Sequence, residues 1–131
     1  MRVSKDTSRL LIILRQDAAR LADRIITREK EYLHILSMKR TREHFNAVFR
    51  SNFKTITVQQ LMLLSEELII SLEDFYNTID DMHWYLVHTE DMPATIEDRV
   101  HAMVRDVKNK YDQLNLYLNA ELETHEESDV A

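Results

Sequence analysis

Glycine is absent from all 131 residues, proline occurs once and cysteine not at all. A Rossmann fingerprint, a P-loop, a G-x-S-x-G nucleophile elbow and an EF-hand loop each need a backbone conformation or close approach that a Cβ obstructs, so none of them is open to this chain. The missing cysteines exclude a thiol nucleophile, a disulfide framework and a cysteine-ligated zinc site. With 44% hydrophobic and 31% charged residues, the composition suits one globular or coiled-coil domain and is too apolar for a disordered chain.

Hydrophobic spacing near 3.6 residues runs through almost the whole sequence and predicts an all-α fold. Leu10, Leu14, Leu21, Ile25, Tyr32 and Ile35 or Leu36 recur at spacings built from threes and fours, with Leu11 and Ala18 beside them, giving an amphipathic helix over about residues 5 to 38. The pattern lapses from Lys39 to His44 and resumes with Phe45, Val48, Phe49 and Phe53. Thr57 followed by Gln60 reads as a capping box opening a second helix, over about 58 to 88, whose stripe includes Leu61, Met62, Leu68, Leu72, Phe75, Ile79, Met82 and Leu86. Pro93 ends it and starts a third helix with the stripe Ile96, Val100, Met103, Val107, Tyr111, Leu114 and Leu118. The expected architecture is an up-down-up antiparallel bundle of three long helices, coiled-coil-like, with a fourth short helix at about 42 to 54 and with dimerisation completing it. Residues 1–124 form the one domain in this reading, and 125–131 a disordered acidic tail.

Charge is divided along the chain. Residues 1–54 carry 13 Lys and Arg against 6 acids, and residues 55–131 carry 4 against 17. From Thr55 through Asp98 there is no Lys or Arg among ten acids. One reading is that a basic first helix lies antiparallel to acidic later ones and the charges select that pairing. The other is that the basic part binds an external anion, nucleic acid included.

The longest early apolar run, Leu10 to Leu14, is far short of a bilayer span of about 20 residues and of a signal-peptide core. A cytoplasmic protein without a membrane span is expected. The six histidines include three that follow an acid by three positions: Glu31 and His34, Asp80 and His83, Asp98 and His101. That spacing places a carboxylate and an imidazole on one helical face, as in di-iron bundles, but such sites need two Glu-x-x-His pairs and two further glutamates, and no metal or other cofactor is expected. Arg28 and His34 are similar in spacing to the loose arginine-histidine motif of the all-helical HEPN ribonucleases, and the pair departs from that motif in having Glu29 after the arginine.

The most informative stretch runs from Lys39 to Lys54. Phe45, Phe49 and Phe53 form an i, i+4, i+8 stripe among Lys39, Arg40, Arg42 and Arg50. These seven residues are the candidate binding site, fitted to a second subunit, a partner protein or, by phosphate contact and base stacking, single-stranded nucleic acid, and the same composition suits a membrane surface or a groove that receives an acidic helix. The opposing expectation is that the rings are core and the cations solvated. The functional expectation is a non-enzymatic protein-protein interaction module, of the adaptor, chaperone-like or regulatory kind, partnering itself and another protein. Its alternatives are a nucleic-acid-binding regulator using the basic first helix and a helical metal protein or hydrolase.

Overall fold

The computed structural model describes residues 2–38 and 41–130, with side chains described for 5–38 and 41–124. The described residues are helical and contain no strand: α1 (Arg2–Ile26), α2 (Glu29–Ser37), α3 (His44–Val48), a 3-10 turn (Phe53–Thr55), α4 (Val58–Leu61), α5 (Glu66–His88) and α6 (Pro93–Val130). No helix among them is long and apolar enough to cross a membrane.

The first predicted helix is broken at Thr27 and Arg28. The Thr27 hydroxyl bonds back to the Asp23 carbonyl at 2.7 Å, and Arg28 leaves helical geometry with φ −110° and ψ 19°. A broken helix exposes carbonyls in its last turn. Here the buried Tyr32 phenol donates to the Ile25 carbonyl at 2.8 Å, so the break lies in the core without an orphaned acceptor at that point. The second predicted helix is divided too. Thr57 and Gln60 form the expected capping box, but it opens only the single turn of α4. Ser65, whose side chain accepts from the Leu68 N–H, then starts α5. Met62, assigned to the buried stripe on periodicity, falls in this interruption and is exposed. Pro93 is the first residue of α6, where its missing N–H costs no helical bond. The α6 backbone stays helical to Val130, beyond its last core residue, Leu122, and the side chains of the expected acidic tail lie outside the described residues.

Side-chain pairings fix the directions of the long elements. Arg15 of α1 donates to Asn119 of α6 at 3.0 Å, and Glu29 at the start of α2 meets His101 at 3.4 Å, so α1 and α2 run antiparallel to α6. Ser65 bonds Glu121 at 3.3 Å and Asp74 pairs with Lys110 at 3.3 Å, so α5 is antiparallel to α6 as well. It follows that α1 and α5 are parallel. This differs from the up-down-up order that short connections would give. The chain returns between them through residues 41–64, which descend alongside α5: Arg42 reaches Val87, Asn46 reaches His83 and Phe53 stacks on Tyr76. The predicted short helix at 42–54 is in fact two pieces, α3 and the 3-10 turn, within that return.

Candidate functional site

The return segment contains the residues singled out in the sequence, and the structure places most of them inward. Phe45 is fully buried and Phe49 is 7% exposed. Phe45 meets Tyr32 edge-on at 5.9 Å, Phe49 stacks on His83 at 4.7 Å, and the half-buried Phe53 stacks on Tyr76 at 4.0 Å. The i, i+4, i+8 stripe thus fills the seam between α2 and α5. Arg42 donates to the carbonyls of Leu86 and Val87, at 3.5 and 3.0 Å, in the last turn of α5. A cation there satisfies orphan acceptors and opposes the negative end of the helix dipole. Arg50 is exposed, and its carbonyl, with that of Val48, accepts from the Arg24 guanidinium. Lys39 and Arg40 lie outside the described residues.

The side chain that pins this segment is one the sequence reading passed over. Asp17 of α1 accepts from the Ser51 hydroxyl at 2.6 Å, the Asn52 N–H at 2.9 Å and the Tyr76 hydroxyl at 2.6 Å, tying α1, the return segment and α5 at one carboxylate. Burial, and then the bond to Asp17, push the Tyr76 phenol well above its ordinary range, so it remains a donor. In sequence Asp17 is one acid beside Ala18, and nothing local marks its partners at 51, 52 and 76.

None of the acid-histidine spacings gathers a metal set. His83 bonds the Asn46 side chain at 2.9 Å, His101 reaches Glu29 on another helix, and Glu31 pairs with Arg28 at 3.1 Å. Among the described residues no group of three or more His, Asp or Glu converges on one point. Arg28, paired with Glu31, lines a depression with Arg24 and Arg50, and His34 lines another with Arg42 and Asp91. A cleft of about 430 Å³ lies between the return segment and α5, with Leu21, Ile56 and Ile79 on its walls and Lys54, Glu73 and Asp80 lining it.

His83 gives the fold a pH dependence. Burial lowers its pKa, outweighing the neighbouring Asp80, with Lys54 and His88 acting in the same direction as burial. The folded chain therefore binds this proton less readily than the unfolded chain, whose imidazole titrates near about 6.5. The contribution is complete above that pH and is lost as pH falls toward the depressed folded value. Urea midpoints measured from pH 7.5 to 5.5 should decline, and His83→Gln should flatten the decline; an equal slope in both proteins would remove His83 as its source.

Exposed apolar side chains occur on the outer faces of α1, α5 and α6, and also at Met38, Val58, Met62, Leu63 and Met92 in or beside α4 and the connections. On α1, Ile12 and Ile13 are exposed, together with Lys5, Arg9 and Arg20. On α5, Ile70 and Trp84 are exposed, together with Glu66, Glu73, Asp80 and Asp81. On α6 the exposed pair is Leu116 and Tyr117. The charge division is not consumed inside the chain. Among the described residues, no ion pair joins a Lys or Arg of the first 54 residues to an acid of the remainder; the five pairs are Arg9 with Asp6, Arg28 with Glu31, Arg99 with Asp91, His101 with Glu29 and Lys110 with Asp74. No protein-family model, curated protein or solved structure matches the chain.

Proposed function

We propose that this chain is a non-enzymatic protein-protein interaction module that acts through its helical surfaces, associating with itself and with another protein. The observation that carries this reading is the placement of large apolar side chains on outer helix faces, with Ile13 50%, Ile70 64%, Trp84 64% and Leu116 72% exposed, while the aromatic segment of 45–53 is folded inward. Isolated exposed apolar residues are ordinary. Here they fall in pairs on single faces, among charges that have no partner across the two halves of the chain. Long helices present such faces without a cavity, which suits recognition of another helix.

Photo-crosslinking residues placed singly at Ile13, Ile70, Trp84 and Leu116 in the native cell test the reading. At least one position should yield a discrete protein adduct, to this chain or to another. Absence of adducts at all four would overturn it.

A further inference from the structure

Resting on that reading, we propose that the self-association runs through one pair of surfaces: the outer face of α1 in one copy docks on the outer face of α5 in a second copy. Both faces have the same construction. A helix repeats every 3.6 residues, which puts Lys5, Arg9, Ile12, Ile13, Gln16, Arg20 and Asp23 on the side of α1 opposite Leu14 and Leu21, with Asp6, the partner of Arg9, at its edge. The same geometry puts Glu66, Ile70, Asn77, Asp81, Trp84 and His88 on the side of α5 opposite Leu72 and Phe75, with Glu73 and Asp80 exposed at its edge, where they line the cleft beside the return segment. Each face bears two exposed apolar side chains, those of α1 among three cations and two acids and those of α5 among acids without a Lys or Arg. At 1.5 Å per residue, Lys5 to Arg20 spans about 22 Å and Glu66 to Trp84 about 27 Å, so the two can lie along each other over nearly their full lengths.

Within one chain these faces cannot meet, because both point away from the core that α1 and α5 share with α6. Between chains they can. Burying Ile12 and Ile13 beside Ile70 and Trp84 removes apolar surface from water, and a Lys or Arg stem laid on the indole face opposite the stacked His88 ring adds a cation-π contact. Charge then selects the pairing. An α5 face against another α5 face opposes acid to acid, and an α1 face against another α1 face opposes cation to cation, so only the mixed contact avoids repulsion. Every copy carries both faces, and a two-fold axis forms the contact twice. The exposed pair on α6 lacks this complement, since Lys108 and Arg105 stand on that helix among Asp106 and Asp112.

The test is a charge exchange on the full chain, read by sedimentation equilibrium at low salt. The parent protein should give about twice 15.6 kDa at micromolar concentration. Arg9→Glu with Arg20→Glu forms one variant, and Glu73→Lys with Asp81→Lys the other. Each should weaken association by about tenfold or more while keeping the parent's circular dichroism and urea midpoint, because all four side chains are exposed. Mixed in equal amounts, the two should associate as the parent does, since each negative α1 then faces a positive α5 and each positive α1 a negative α5. A monomeric parent, variants that stay dimeric, or a mixture that remains monomeric would overturn the proposal. A monomeric parent that still crosslinks to a different protein in the cell would sink the second copy as occupant and leave the interaction-module reading standing; loss of that adduct in the α5 variant would identify the occupant as a basic foreign segment.

Discussion

Phe49→Asp is expected to unfold the single chain. The ring is 7% exposed, stacked on His83 and 6.3 Å from Tyr32. Truncating a buried phenylalanine costs about 3 to 5 kcal/mol, and a carboxylate left without a partner in the same place adds to that. Domains of this size are stable by only about 5 to 15 kcal/mol, so the substitution should remove a large share of the total and lower the urea midpoint steeply. The result that counts against this placement is specific: a folded protein with the parent midpoint and a halved mass would put Phe49 in a contact between chains. Phe45→Ala offers a second reading of the same seam, with about 3 kcal/mol or more expected from a ring that is fully buried.

Asp17→Ala should be the most damaging substitution of a charged residue. Its carboxylate accepts three bonds from two other parts of the chain. Hydrogen bonds to a charged group contribute about 1.5 to 3 kcal/mol, and a donor left unpaired on burial adds a penalty, so a total near 3 kcal/mol is expected, with the contributions not additive. Asn in the same position keeps one acceptor oxygen and should recover about half. A double-mutant cycle with Tyr76→Phe should show strong coupling, because both substitutions break the same bond. A change of less than about 0.5 kcal/mol for Asp17→Ala, within the range of ordinary surface substitutions, would mean that the carboxylate does not hold the return segment.

Local periodicity made the core legible. Leu10, Leu14, Leu21, Ile25, Tyr32 and Ile35 are all buried, as are Leu68, Leu72, Phe75, Ile79, Met82 and Leu86, and Ile96, Val100, Val107, Leu114 and Leu118. The turn before α6 was legible for a different reason, since Pro93 restricts its neighbour and lacks a donor. Connectivity was not legible. Whether the chain turns back between α2 and α3 or near residue 65 depends on what Asp17 and Arg42 bond, and those partners are 34 to 59 and 44 to 45 positions away. The basic aromatic stretch attracted attention because cations beside rings resemble a nucleic-acid or partner surface. Arg42 is instead bound to carbonyls at the end of α5, which composition alone does not reveal. The charge division was visible at once, but only the structure shows that, among the described residues, no close ion pair joins a Lys or Arg of the first 54 residues to an acid of the rest.

The antiparallel pairing of α1 with α6 also sets an order of assembly. Arg15 and Asn119 are separated by 104 positions, whereas α5 and α6 are joined by the four residues 89–92. Closing a short loop costs less entropy than closing a long one, so the α5-α6 hairpin is the native element that can form first. During synthesis, α1 leaves the ribosome long before α6 exists. Through that interval its stripe of leucines lacks the cover that α6 gives it in the folded chain, so this face is the one most exposed to wrong contacts until the C-terminal helix arrives.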